Sequence, residues 1–400
     1  MSRIVFRGGR IFDGTGSEPA AGDVVIADGK IVDVGTGLDG DEAVDVTGRT
    51  VLPGMFDCHV HVMSVGVDPV ASVLAPFSYQ FYMAIRNLLA TLRTGITSVR
   101  DAGGADLGVR VALEDGLIAG PRLQISISMI SQTGGHGDDW YPGGAVIPFG
   151  IAHPGRPDGI ADGPDEVRRK VRELARNGAD VIKIAASGGV MSPRSNPRLA
   201  HFRPEELAVI VEEATAAQVP VMAHVQSAEG IRNAVKAGVR SVEHGIFIDD
   251  EGIELMKERG TWLVPTLVAA QGVIDAADAG ATIPPNVLDK ARSVIDSHRA
   301  GFRKAVQAGV RIAMGTDSGV VPHGENLREL GMMVEGGMTP AAALEATTRS
   351  AAQLLRVDDE LGTIEPGKVA DLVIVSGDPY DFATLRDRVD EVWQAGVRVV

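Results

Sequence analysis

The chain has 400 residues, 44% of them hydrophobic and 23% charged, with 38 basic against 53 acidic side chains and a net charge of −15. That balance, with no Lys/Arg cluster, argues against a nucleic acid or an anionic membrane surface as partner. The single cysteine, Cys58, excludes an intrachain disulfide, in keeping with a reducing, cytoplasmic setting.

The opening residues lack the apolar stretch of a signal peptide, and no run of about 18 apolar residues is present to span a bilayer. Residues 4–52 read as short strands at 4–6, 23–26, 30–34 and 49–52, with Gly-rich turns between them. The Asp28-Gly29 pair between two β-rich runs is a hairpin signal. From residue 53 onward apolar runs alternate with helical stretches, which predicts parallel βα units. The expected strands are 55–59, 96–100, 123–128, 181–185, 219–224, 241–244, 261–264 and 311–316, the number a closed barrel needs. Helices are expected over 80–93, 165–177, 204–217, 227–237, 285–308 and 340–355. The Gly/Pro-rich stretch 130–164 has no periodicity, and a loop of that length suits a substrate wall or lid. Strand patterns return at 371–375 and 397–400. The expected architecture is α/β: a (β/α)8 TIM barrel over residues 53–357, flanked by a small β-sandwich domain built from 1–52 and 358–400. A barrel of about 250 residues plus additions accounts for the length.

The chemistry is concentrated where these strands end. In His59-Val60-His61 the two imidazoles point to one face, because alternate residues of a strand do. Two converging imidazoles are half a transition-metal site. Lys183, His224, His244 and Asp317 each terminate or sit within an apolar run on a later strand. In a barrel those ends meet on one face, where active sites lie. Any one of them could be a hydrogen-bonded rim group; together they form a set of metal-type ligands. A buried ammonium is disfavoured. A neutral Lys183 can instead take up CO2 and become a carbamate, an anion able to bridge two cations.

The motifs Val51-Leu52-Pro53-Gly54-Met55-Phe56-Asp57-Cys58-His59-Val60-His61, Lys183 followed by Ser187-Gly188-Gly189-Val190, Ala223-His224, Val242-Glu243-His244-Gly245 and Gly315-Thr316-Asp317-Ser318-Gly319 resemble those of the amidohydrolase superfamily in its binuclear form. The tail Gly362-Thr363-Ile364-Glu365-Pro366-Gly367-Lys368 extends the likeness along the chain. Within the superfamily the chain is most similar to the imidazolonepropionase-like branch that holds Xaa-Pro dipeptidases. Asp101-Ala102-Gly103-Gly104, Thr133-Gly134-Gly135-His136-Gly137-Asp138 and Pro322-His323-Gly324-Glu325-Asn326 carry that part of the resemblance.

The resemblance implies two divalent metal ions, expected to be zinc. His59, His61 and Asp317 would hold the first and His224 and His244 the second, with carboxylated Lys183 and a hydroxide bridging them. Asp317 would move the proton from the attacking hydroxide to the leaving amine, and His136 would hold the carbonyl oxygen. The implied reaction is hydrolysis of an amide C–N bond in a small molecule, a dipeptide or an N-acyl amino acid. The alternative is opening of a cyclic amide, as in an imidazolone. Intact ligand types at every expected position speak against a metal-free scaffold. A homo-oligomer is expected, as for relatives.

Two departures bear on substrate. Gln226 stands where proline-directed members carry an aromatic hydroxyl, which puts proline specificity in question. Ser227 stands where the mononuclear deaminases carry glutamate, which argues against deamination. His201, His323 and Arg194, the last in the arginine-bearing segment 191–203, are further candidates for substrate contact. An arginine there could pair bidentately with a carboxylate.

Overall fold

The computed structural model describes residues 2–400 apart from 65, 67, 69–73, 142, 148, 149 and 193. Those positions include parts of the 130–164 loop and of the 191–203 segment, which to that extent lie outside the described residues.

Both ends of the chain meet in one sheet. Its strands are β1 (Ile4–Ile11), β2 (Ala20–Ala27), β3 (Lys30–Gly35), β4 (Glu42–Asp45) and β5 (Arg49–Pro53) from the start, and β14 (Leu372–Ser376), β15 (Val389–Gln394) and β16 (Val397–Arg398) from the end. They pair in the order β16-β15-β14-β5-β1-β2-β3, with β4 also on β1. At the β2–β3 hairpin Asp28 and Gly29 have φ of 52° and 76°, the doubly positive turn that Asp-Gly favours. Alternate residues from both ends, among them Phe6, Val24, Ile26, Leu372, Ile374 and Trp393, form a separate core. The strands β4 and β15 were not expected from the sequence. Each carries acidic residues (Glu42-Ala43-Val44-Asp45, Val389-Asp390-Glu391), and pairing with β1 and β14 overrides that weak propensity.

Between these ends the chain alternates strand and helix. Parallel strands β6 (Met55–Val60), β7 (Ile96–Asp101) and β8 (Arg122–Ile125) form one sheet; β9 (Met129–Ile130), β10 (Ile182–Ala185), β11 (Val221–Val225), β12 (Ser241–His244) and β13 (Trp262–Val264) form another. Both have helices in the connections, the mark of parallel α/β architecture. The segment 311–316, expected as a strand, is assigned none, yet its backbone bonds both sheets. Leu263 N donates to Arg311 O (2.8 Å), Ala313 N to Leu263 O (3.1 Å) and Cys58 N to Met314 O (2.9 Å).

The helices are α1 (Tyr79–Leu92), α2 (Leu107–Glu114), α3 (Gly163–Arg176), α4 (Pro204–Ala216), α5 (Ala228–Ala237), α6 (Asp250–Arg259), α7 (Leu267–Asp278), α8 (Pro285–Ala308), α9 (Arg328–Glu335), α10 (Pro340–Ala346) and α11 (Arg349–Leu355). The single helix expected over 340–355 is two. Thr347 breaks it by accepting from Phe56 N at 2.7 Å through its carbonyl and donating its hydroxyl to Phe56 O at 2.6 Å, so the side chain and backbone serve β6 instead of the helix. No described helix is long and apolar enough to cross a membrane.

One buried acid fixes a wall of the later site. Glu329, fully buried on α9, accepts from Leu267 N and Val268 N, both at 2.8 Å, and so caps α7. Burial pushes its carboxyl up to about 8, outweighing those two donors. A folded-state value above the unfolded one means that the native protein binds more protons. Its contribution is therefore full below the ordinary glutamate value and is lost as pH rises toward about 8. We expect Glu329→Gln to flatten the fall in stability between about pH 4.5 and 8 by on the order of 1 kcal/mol per pH unit. Urea denaturation across that range checks it; parallel slopes for the variant and wild type would contradict the assignment.

Candidate active site

The chemistry-bearing residues stand at the C-terminal ends of the parallel strands. His59 lies in β6 and His61 one residue beyond it, Lys183 lies in β10, His224 in β11, His244 ends β12, and Asp317 follows the 311–316 segment. All six line one cavity of about 1210 Å³, open mouth included. His136 and Gln226 line it too. The backbone pays a local cost here: His244, Thr266 and Asp317 have φ of 71°, 49° and 62°. Left-handed backbone at non-glycine residues costs about 1–3 kcal/mol each and persists where the surroundings impose it.

Each imidazole is aimed by a bond to its far nitrogen. His59 Nδ1 lies 2.7 Å from Glu243 Oε2, which leaves Nε2 facing Asp317 Oδ1 (3.5 Å) and Lys183 Nζ (3.5 Å). His61 Nδ1 donates to Gly103 O at 2.8 Å, and its Nε2 lies 3.2 Å from Asp317 Oδ1. His224 Nε2 donates to Gly188 O at 3.2 Å, and His244 Nδ1 lies 2.7 Å from Thr266 Oγ1. The ligand atoms of His59, His244 and Asp317 all fall within 4.8 Å of one another. Burial first, then neighbouring cationic groups, hold the His59, His224 and His244 imidazoles well below their ordinary value. They are neutral, the form that ligates a metal. Asp317 is held ionised: burial opposes this, but His59 and His61 outweigh it.

Lys183 is 2% exposed, and burial is the main cause that brings its amine down to about 8. Among the described residues its Nζ makes no ion pair, and its hydrogen-bond contact is His59 Nε2. His136 stacks on His224 with centroids 4.0 Å apart and planes at 12°. Its Nδ1 is buried without a partner, and burial followed by Lys290 lowers it to about 3. Gly189 makes this stack possible, since a Cβ there would lie 2.3 Å from His136 Cε1 and 2.8 Å from His224 Nε2. We expect Gly189→Ala to lower kcat/KM about 100-fold by displacing both rings, the scale of a 1 Å misplacement. Steady-state kinetics checks this, and an unchanged value would show that the stack is dispensable.

The other sequence candidates fall outside the cavity lining. Arg194 is exposed, its guanidinium 4.8 Å from the Trp140 ring centroid. His323 sits behind His61, with Nε2 3.2 Å from His61 O and Nδ1 3.0 Å from Thr91 Oγ1. His201 is buried with Nδ1 unpartnered. Loop 130–164 does supply cavity wall, through His136, Gly137, Asp139, Tyr141 and Ile147.

Sequence reasoning missed the support beneath the ligands. Glu243 and Arg100 are buried and paired at 3.0 Å, and Arg100 Nε also donates to Cys58 O at 2.7 Å. Asp57 accepts from Thr316 Oγ1 (2.6 Å), Asn326 Nδ2 (2.8 Å) and His59 N (3.1 Å), tying the Asp317 turn to β6. Asp101 accepts from Val62 N, Gly103 N and Ala105 N, which aims the Gly103 carbonyl at His61. A signal was present in the sequence: Asp57, Arg100, Asp101 and Glu243 are charged residues on strands expected to be buried, where a charge must be paired or hydrogen-bonded.

Residues 50–399 match the amidohydrolase family model. The ochratoxinase of Aspergillus niger is 39% identical over 363 residues, 86% of this chain and 75% of that protein. An imidazolonepropionase of a Geobacillus species is 27% identical, covering 88% of this chain and 83% of that one. Among solved structures, a Xaa-Pro dipeptidase with methionine bound in its active site superposes at a TM-score of 0.91, with 36% identity and complete coverage of both chains. A prolidase complexed with N-methylphosphonate-L-proline superposes at 0.89, with 35% identity and 99% of each chain covered. The chain belongs to the amidohydrolase family.

Proposed function

We propose that this amidohydrolase is a metal-dependent hydrolase of amide bonds in small N-acylated amino acids or dipeptides. The single observation that carries the metal reading is the convergence of the neutral His59 and His244 imidazoles and the ionised Asp317 carboxylate on one point, each ring locked by a bond to its far side. Such outer bonds are how proteins orient metal-ligating histidines. The donor set suits zinc or a similar ion. His59, His61 and Asp317 would hold one ion and His224 and His244 a second, with Lys183 carboxylated by CO2 between them. A buried amine with no ion-pair partner, its pKa lowered by burial, supports the carbamate. The two parallel sheets are read as one closed (β/α)8 barrel over residues 53–357, linked through 311–316. Residues 1–52 and 358–400 form the small β domain.

Divalent ions held there would supply Lewis acidity at the carbonyl and would lower the pKa of the attacking water. The chain's residues do the rest. Asp317, ionised at neutral pH, takes the proton of the water that adds to the carbonyl carbon. It returns that proton to the nitrogen as the C–N bond breaks, releasing an acid and an amine. His136, neutral and with a free ring nitrogen, holds the carbonyl oxygen. The cavity wall excludes bulk water.

The prolidase and Xaa-Pro dipeptidase likenesses, at 35% and 36% identity, support linear amides over the cyclic alternative, for which the imidazolonepropionase likeness is 27%. The test is metal analysis of the purified protein together with amine release from dipeptides, N-acyl amino acids and cyclic amides. About two transition ions per chain and turnover of the linear amides are expected. No bound ion, or turnover of cyclic amides alone, would contradict the reading.

A further inference from the structure

One wall of the cavity is a small apolar core of its own. Val190, Ile246, Ala270, Val273, Val287 and Val320 pack together, each 6% exposed or less. The same six line the cavity. They come from the loop after β10, the turn after β12, the facing helices α7 and α8, and the turn after Asp317, so five separate parts of the chain converge on one apolar surface. Among the described residues lining the cavity, the sole Lys or Arg is Lys183, a residue committed to the centre. The arginines of the neighbouring segment are engaged elsewhere: Arg194 on Trp140 and Arg198 on Phe247, 4.0 Å from the ring centroid. These six side chains offer nothing to compensate a charged substituent, and burying one unpaired is costly; among the described residues the acidic groups lining the cavity are Asp317 at the centre and Asp139 on the 130–164 loop, and neither belongs to this wall. Gln226, 4% exposed and on the cavity, has its side-chain oxygen buried without a partner. It is a neutral group awaiting a hydrogen-bond donor.

We propose that the wall formed by α7, α8 and the loop after β10 selects an uncharged, bulky apolar substituent of the substrate, with Ala270 leaving room for it and Gln226 accepting an N–H of the substrate. This rests on the reading of the site as an amide hydrolase, and it narrows the substrate to amides with a branched, long-chain or aromatic group on one side. A smaller side chain at Ala270 is not available among chiral residues, so the natural chain keeps the pocket wide at this point. A larger one fills it.

The test measures binding and turnover separately, with metal-loaded protein. Two series are made, each compound as the amide for turnover and as its non-hydrolysable phosphonate analogue for calorimetry: one acyl group lengthened from acetyl through hexanoyl to benzoyl on a fixed alanine, and the leaving amino acid enlarged from alanine to phenylalanine on a fixed acetyl. In one series affinity should rise about fourfold for each added methylene, the effect of burying one CH2. Ala270→Phe should abolish that rise in the same series and leave the other series graded as before. Val320→Ala, which enlarges the pocket, should move the optimum to a larger group, and it serves if Ala270→Phe is unstable by thermal denaturation. Gln226→Leu should weaken every member about tenfold, the order of a buried acceptor's hydrogen bond lost. Affinity that ignores apolar size in both series, or that follows an added carboxylate or amine instead, would overturn the proposal. Size-graded binding with no turnover of any amide would instead refute the hydrolase reading and leave the pocket standing.

Discussion

Lys183→Met abolishes activity and strips metal from the centre while leaving the fold intact: that is the result expected if the lysine serves as a carbamate. The methionine fills the same buried space on β10, between Met129 and Met222 of the flanking strands, and adds no charge. With metal removed from both proteins, replacing a buried amine with an apolar chain of similar length should not lower the melting temperature; the extra stability that bound metal gives the wild type should be missing in the variant. Without a carbamate at this position the two proposed ions would lack their shared anionic ligand. Ion occupancy should drop, and kcat/KM should fall at least about a thousandfold, the equivalent of roughly 4 kcal/mol of transition-state stabilisation. Metal analysis and kinetics on the purified variant decide it. Full metal content with near-normal turnover would show that Lys183 is a packed side chain and no ligand.

The second large effect is on stability. Arg100→Met should destabilise the protein by about 3–5 kcal/mol, because it leaves the buried Glu243 carboxylate uncompensated. Arg100 and Glu243 are 2% and 0% exposed, and they close a chain of bonds from Cys58 O through the guanidinium and carboxylate to His59 Nδ1. Denaturant unfolding measures the loss. The double variant Arg100→Met with Glu243→Gln should recover part of it, since the second change removes the orphaned charge. An Arg100→Met protein as stable as wild type would mean that the pair contributes little and that His59 is held by its own strand. Glu243→Gln alone reports on function: His59, with its carboxylate partner replaced by a neutral amide, should bind metal about 10–100-fold more weakly, the usual effect of losing such a partner.

How far the sequence was legible follows from what kind of signal each feature leaves. The parallel strands β6, β10 and β11 were readable because they are mostly apolar runs buried along their length, which a sequence shows directly; β7 and β12 are as fully buried but largely polar, and were readable from their place in the alternation of strand and helix. Helix α8 was readable from its apolar periodicity, and the structure starts and ends it at 285 and 308 as expected. Helix α7 was not: its Leu-Val-Ala-Ala-Gln-Gly-Val-Ile run packs on both the cavity wall and α9, so it lacks the polar stripe that marks an amphipathic helix. Its role in lining the cavity was invisible for the same reason.

At the site, the strand ends announced their residues because a polar side chain closing an apolar run is conspicuous. The convergence of those residues is a property of the sheets, and only the coordinates place His59, His244 and Asp317 on one point. Arg194 shows the limit in the other direction. An arginine near a site suggests a carboxylate partner, but at this position the guanidinium lies over an aromatic ring, a partner that one-dimensional spacing does not reveal. Gln226 was visible as a departure from the aromatic pattern; its unpartnered oxygen was not.

The most direct measurement is anomalous X-ray diffraction from crystals of the metal-replete protein. Two strong peaks are predicted in the cavity, one against His59, His61 and Asp317 and one against His224 and His244, with density for a carboxylated Lys183 between them. Absence of ions there, with an unmodified amine at Lys183, would contradict the proposed centre and the chemistry built on it.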